Sequence, residues 1–294
     1  MSDTRNDRER YLHFLERFAD TRKELRVVLD CSNGPAGVLV PKLKLPKVTK
    51  FVLNAKLDGT FPAHGPDPLA QASLDAIRKE VLRRKADLGV VFDADGDRAV
   101  FVDETGKHVQ SAAILILLSL FEQPPFVADV MVHQFAKTMH PNFKHFSLAV
   151  SRVGSYFVKQ VMRKTRASIG AEYSGHYYFK DFFYADSACI AAIKVMNALS
   201  RLPYSMRDFV DFLPALYHEQ FNVRVLDAGK TMAKIRMRFE KQARSVTTLD
   251  GLLFEFETSW FLVRPSNTEP LLRFFIGATT NAGKENLVAE LRTR

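Results

Sequence analysis

Apolar positions along the chain fall into blocks of two spacings. Over residues 8–20, Tyr11, Leu12, Leu15 and Phe18 recur at helical intervals. Leu25–Asp30 is instead a nearly continuous apolar run, the pattern of a buried strand, and it passes into the turn Cys31-Ser32-Asn33-Gly34-Pro35-Ala36-Gly37. Strand, small-residue turn and helix open an α/β unit. Residues 58–68 are rich in Gly, Pro and Asp and predict a loop. A helix follows, with Leu74, Ile77, Val81 and Leu82 as its apolar stripe. Residues 88–92 predict a second buried strand. Residues 99–102 return as a third after a sharp turn, and residues 111–121 form a buried helix.

Gln123-Pro124-Pro125 marks a boundary. Residues 126–132 begin a new strand, and a second α/β unit runs to about residue 213, with Pro203 and Pro214 punctuating its end. From Phe221 the pattern changes. A strand (221–225) and a helix (228–243) precede three close strands (252–256, 260–263 and 271–276) and a short final helix. The expected architecture is two α/β domains with mixed sheets followed by a C-terminal α+β domain with an antiparallel sheet. The expected limits are residues 1–123, 124–214 and 215–294. No tandem repeat of fixed period is visible.

Composition narrows the picture little. Apolar residues make up 47% and charged residues 26% of the 294, an ordinary globular balance. Cys31 and Cys189 each lie beside apolar stretches and read as buried free thiols. The polar N-terminus is unlike a secretory signal, and residues 112–121 are too few for a bilayer, which needs about 20. A cytoplasmic protein with no membrane partner is expected. The net charge of +9 is spread along the chain. Its densest runs, Arg83-Arg84-Lys85 and residues 159–166, read as solvated helix faces, so nucleic acid is not an expected partner.

Three segments carry chemistry. Asp93-Ala94-Asp95-Gly96-Asp97-Arg98 follows a buried strand, and alternate residues of an extended segment point the same way. Asp93, Asp95 and Asp97 can therefore converge, and converging carboxylates need a cation; oxygen ligands suit magnesium or calcium. A calcium-binding helix-loop-helix is excluded, because Arg98 stands where that loop requires glycine and strands flank the segment. The second segment, Gly170 to His176, offers Glu172, Ser174 and His176, groups able to bond vicinal hydroxyls and, at His176, to move protons. The third is Arg264-Pro265-Ser266-Asn267-Thr268-Glu269-Pro270, with Arg273 beyond it. Its guanidinium, hydroxyls, amide and loop N–H groups suit a phosphate. Alone, each has an ordinary reading: an acidic turn, a satisfied histidine, a capped polar turn.

In this order and spacing the three resemble the phosphohexomutase superfamily, which includes phosphomannomutase and phosphoglucomutase, over roughly residues 8–294. The Asn33-Gly34 turn, the 58–68 loop and Ala86-Asp87-Leu88-Gly89 belong to the same resemblance. It implies that Asp93, Asp95 and Asp97 bind Mg2+ and that Arg98 lies beside the transferring phosphate. Glu172, Ser174 and His176 would hold the sugar, with Arg98 and His176 as the catalytic pair. Arg264, Ser266, Asn267, Thr268 and Arg273 would bind substrate phosphate. Asn267 resembles the phosphomannomutase/phosphoglucomutase branch. The implied reaction is intramolecular phosphoryl transfer between hexose 1-phosphate and hexose 6-phosphate (mannose or glucose), with a hexose 1,6-bisphosphate between them.

The resemblance is incomplete. Family members carry four domains, the first with a Ser-His-Asn-Pro type loop whose serine is phosphorylated. This sequence contains no such tetrapeptide and begins at what resembles the second domain. Met131 and Ser155 occupy positions that are usually basic in the family. The expectation is a phosphohexomutase that is inactive as a single chain and completed by a phosphoserine domain from a separate polypeptide. The alternative is a non-catalytic sugar-phosphate-binding protein or partner subunit.

Overall fold

The computed structural model describes residues 4–140, 142–266 and 269–292. The first unit contains α1 (Thr4–Glu16), β1 (Leu25–Asp30), α2 (Ala36–Leu39), β2 (Val48–Leu53), α3 (Gln71–Arg84), β3 (Leu88–Phe92), β4 (Ala99–Asp103), β5 (His108–Val109) and α4 (Ser111–Ser119). Its sheet has the order β2-β1-β3-β4-β5. The first three strands are parallel, β4 runs antiparallel to β3, and β5 antiparallel to β4.

The second unit contains β6 (Phe126–Asp129), α5 (Val130–Met139), β7 (Leu148–Ser151), α6 (Ser155–Thr165), β8 (Ile169–Ala171), β9 (Tyr177–Phe179), β10 (Ala185–Asp186), α7 (Ala188–Arg201) and α8 (Met206–Phe212). Its sheet repeats the template of the first. β6 lies between parallel partners β7 and β8, β9 returns antiparallel to β8, and β10 pairs with β9.

The third unit holds β11 (Tyr217–Arg224), α9 (Ala228–Phe239), β12 (Ser245–Thr247), β13 (Leu252–Glu255), β14 (Ser259–Pro265), β15 (Leu271–Ala278) and α10 (Asn281–Arg292). Its sheet is wholly antiparallel, in the order β11-β15-β14-β13-β12.

Helix α4 is buried from Ser111 to Leu118 and packs against α5, α7 and β8, which explains why it is apolar on every side. One continuous core therefore runs through the first two units. Strand alternation splits the third sheet. Phe261, Val263, Phe274 and Ile276 face a core that also holds Phe239 of α9 and Leu287 of α10. Trp260, Leu262 and Phe275 join the main core, with Phe135 of α5 5.6 Å from Trp260 between ring centroids. Both cysteines are free and buried. No helix among the described residues is long and apolar enough to cross a membrane.

Some local expectations change. The apolar run 126–132 is two elements: the strand ends at Asp129, whose carboxylate accepts the Val132 N–H at 2.7 Å and caps α5. Leu82 is half exposed and leaves the α3 stripe to Leu74, Ile77 and Val81. Helix α1 spans Thr4–Glu16 rather than 8–20, and α9 stops at Phe239. Strands β2, β5, β7, β8, β9, β10 and β12 are additional to the sequence reading.

Candidate functional site

Residues 93–98 join β3 to β4 and are wound around one carboxylate. Asp93 Oδ1 accepts the N–H groups of Gly96, Asp97 and Arg98 at 2.9, 3.1 and 3.1 Å, and Asp93 Oδ2 accepts Arg98 Nε at 2.7 Å. Gly34 lets the turn after β1 press against this loop, since a Cβ there would stand 2.6 Å from the Ala94 carbonyl oxygen. The carboxylates of Asp93, Asp95 and Asp97 present oxygens that all lie within 4.8 Å of one another. The Asp95 carboxyl is pushed above the usual carboxylate range, first by its hydrogen bond with Asp93, then by burial and the Asp93 charge. Carboxylates this close repel, and a cation between them would neutralise that repulsion. The all-oxygen donor set fits a hard divalent ion.

Residues 172–176 occupy the equivalent hairpin, between β8 and β9. Glu172 is buried, and its carboxylate accepts the Gly154 N–H at 2.6 Å and the Tyr178 hydroxyl at 2.5 Å. His176 Nδ1 lies 2.8 Å from Ser174 Oγ and 3.6 Å from Glu172 Oε2, and its Nε2 lies 3.3 Å from Asp97 Oδ1. Backbone also joins the two hairpins. Arg98 and His176 form an antiparallel bridge, and the Ala99 N–H donates to the Gly175 carbonyl at 3.0 Å. Gly175 has φ +94°, and a Cβ there would meet the Ala99 carbonyl oxygen at 3.0 Å. The acidic loop and the 172–176 hairpin therefore form one seam between two sheets. The Asp186 carboxylate reaches the edge of this seam, within 4.8 Å of Asp97 and His176, and pairs with Lys159 at 3.0 Å.

Arg264 and Arg273 are directly opposed on β14 and β15. Arg264 Nη1 lies 3.3 Å from Asp250 Oδ2, and Arg273 Nη2 donates to Ser266 Oγ at 3.4 Å. Both Nε groups are buried without a hydrogen-bond partner among the described residues, a state that calls for an acceptor. The Arg264 guanidinium lies 5.6 Å from the centroid of the Phe275 ring, which is 6.1 Å from the ring of Tyr173. No hydrogen bond or ion pair among the described residues joins either arginine to the two hairpins. Asn267 and Thr268 lie outside the described residues.

Met131 is buried in the core, and Ser155 is exposed at the first turn of α6. The nearby Arg152 guanidinium lies 4.4 Å from the centroid of the Phe157 ring.

Several supporting residues have no sequence signal. Tyr178 locks Glu172 from the far side of its own hairpin. Asp129 caps α5 and also accepts the Tyr173 N–H at 2.9 Å, and burial pushes its carboxyl up to about 7 against those two donors. In the sequence Asp129 is a single polar residue inside the apolar run 126–132.

Three family sequence models for phosphoglucomutase/phosphomannomutase match in order: alpha/beta/alpha domain II over residues 9–106, alpha/beta/alpha domain III over 110–217, and the C-terminal domain over 221–294. The phosphohexose mutases of Xanthomonas campestris pv. campestris (strain B100) are 32% identical over 280 residues, covering 92% of this chain and 62% of theirs. The phosphomannomutase/phosphoglucomutase of Pseudomonas syringae pv. tomato is 32% identical over 276 residues, covering 90% and 59%. A phosphoglucomutase/phosphomannomutase family protein from Burkholderia thailandensis superposes with a TM-score of 0.83 at 26% identity, over 97% of this chain and 63% of that one. The Aspergillus fumigatus N-acetylphosphoglucosamine mutase, solved with GlcNAc-6P and magnesium, shares the fold at a TM-score of 0.65 and 13% identity. The chain thus spans about 60% of the length of these curated relatives. With three consecutive domains matched in order and the 93–98 and 172–176 hairpins joined at one seam, the chain belongs to the phosphoglucomutase/phosphomannomutase family.

Proposed function

We propose that this chain is the cation- and sugar-phosphate-binding part of a phosphohexomutase. It would interconvert hexose 1-phosphate and hexose 6-phosphate once a phosphoserine-bearing first domain is supplied, from elsewhere in sequence or by a separate chain. The observation that carries the reading is the seam, which sets His176 Nε2 3.3 Å from Asp97 Oδ1 and joins the two hairpins through backbone. Asp93, Asp95 and Asp97 would hold Mg2+, which when bound supplies positive charge to a phosphoryl oxygen.

The chain's own groups have distinct tasks in this reading. Ser174 and His176 face the seam and would bond sugar hydroxyls. Glu172, already braced by Gly154 and Tyr178, has lone pairs left to accept one more. His176, beside Asp97, is placed to hold or pass a hydroxyl proton. Arg98, anchored on Asp93, would stand beside the transferring phosphate. Arg264 and Arg273, with Ser266, Asn267 and Thr268, would grip the phosphate at the sugar's far end, filling the unpartnered Nε groups.

A second reading is a subunit that binds sugar phosphate without turnover. Met131, buried where the family usually carries a basic residue, and the neutral Ser155 favour it, because both remove positive charge from phosphate stabilisation.

Calorimetric titration with glucose 1,6-bisphosphate, with and without Mg2+, tests the cleft. Under the first reading, binding needs Mg2+ and weakens in Arg264→Ala and Glu172→Ala. Mutase turnover with a supplied first domain then separates the two readings. Absence of binding at millimolar ligand would overturn both.

A further inference from the structure

We infer that His64, held as an imidazolium between Asp30 and Ser73, is a positioning residue that clamps the 58–68 segment against the acidic loop. The role rests on reading that loop as the cation site; the protonation of His64 does not.

Asp30 ends β1 and is fully buried. Its carboxylate accepts the Ser32 N–H at 2.9 Å and the Asn54 side-chain amide at 2.9 and 3.0 Å. His64 Nε2 lies 3.2 Å from Asp30 Oδ2, with the imidazole 2% exposed. Nε2 makes no well-aligned hydrogen bond, and the contact is a close approach of ring nitrogen to carboxylate oxygen. On the other side, His64 Nδ1 is 2.9 Å from Ser73 Oγ, whose hydroxyl donates to the Asp67 carbonyl at 2.7 Å.

The donor count argues for the ring's state. With the Ser73 hydrogen on the Asp67 carbonyl, Nδ1 is the donor to Ser73 Oγ. An unprotonated Nε2 would bring its electron density within 3.2 Å of a buried carboxylate oxygen, so we place a hydrogen there too. Both ring nitrogens are donors only in the imidazolium. The Asp30 partner also raises the His64 pKa. Ser73 is fully buried, so the Ser–His–Asp series is not a nucleophile relay.

The clamp reaches the acidic loop by two routes. The Pro66 carbonyl accepts the Ala94 N–H at 3.2 Å, and Asp67 Oδ1 lies 3.5 Å from Arg98 Nη1. Asn33 ties the same segment to the turn after β1, accepting the Asp58 N–H on its carbonyl at 3.0 Å. His64 opens on a crevice of about 550 Å³ lined also by Asn54, Lys79, Glu80 and Arg83. Glu80 is paired with Arg83 and Arg84, which leaves Asp30 as the anion facing the ring and Lys79 as the opposing cation. Loss of the imidazolium proton would leave Nε2 against Asp30 and release the segment.

Imidazole nitrogen NMR on the full chain tests the state. Both His64 nitrogens are expected at imidazolium positions at pH 7, with the midpoint falling in Asp30→Asn. A neutral ring at pH 7 in the wild type overturns the inference without any variant. Amide hydrogen exchange without Mg2+ tests the clamp. In His64→Gln the Gly65 and Ala94 amides are expected to lose protection by about tenfold, while those of Phe261 and Phe274 stay unchanged. Unchanged protection at Ala94 overturns the positioning role. Failure of sugar-phosphate binding with both of these results intact would remove the cleft reading and leave the clamp.

Discussion

Asp93→Asn separates the winding of the acidic loop from its charge. The asparagine carbonyl can still accept the N–H groups of Gly96, Asp97 and Arg98, but as a neutral acceptor. Hydrogen bonds to a charged acceptor contribute about 1.5–3 kcal/mol and neutral ones about 0.5–1.5 kcal/mol. The new amide N–H would face Arg98 Nε–H across 2.7 Å, donor against donor. Breaking a buried ion pair costs about 3–5 kcal/mol, less here because Arg98 keeps solvent contact. These losses are not additive, and a net local loss of about 2–4 kcal/mol is expected, roughly a 30- to 1000-fold fall in protection of the three amides. Amide exchange without Mg2+ measures it. Asp95→Asn should act with the opposite sign, since it removes the carboxylate that Asp93 repels, yet it should still weaken Mg2+ binding. Protection within about threefold of wild type in Asp93→Asn would refute the idea that this carboxylate winds the loop.

Glu172→Ala should destabilise by about 2–5 kcal/mol in urea unfolding, because the Gly154 N–H and the Tyr178 hydroxyl both lose their acceptor; Glu172→Gln should cost much less. Asp129 should impose a pH dependence. Its pKa of about 7 is raised above the unfolded value, so its contribution is full below about pH 4 and lost as pH rises through 7. Relative to Asp129→Asn, the wild type should lose stability over that window, by up to about 4 kcal/mol, and a flat difference between the two unfolding curves would count against it.

The order of domains and the three polar loops were legible because each follows a buried strand and concentrates groups of one chemistry. What escaped had physical reasons. Strand β2 is an edge strand whose residues are all partly or fully exposed, so it shows no clean alternation. The 126–132 run could not be divided by periodicity, since a short apolar run reads alike as strand or buried helix. Only the Asp129 cap splits it. The convergence of Asp93, Asp95 and Asp97 was readable from alternation, whereas the three N–H bonds that turn Asp93 inward depend on a Gly96 φ of +82°. The Asp30–His64 pair joins residues 34 positions apart with no spacing rule to announce it.

The repeated strand order of the first two sheets has a geometric consequence. The β3–β4 and β8–β9 hairpins hold the same address in their sheets, and they meet tip to tip at the seam. A second acidic tip there would set carboxylate against carboxylate in a half-buried place. The second tip instead presents an imidazole, and His176 stands beside Asp97 where a like charge would repel.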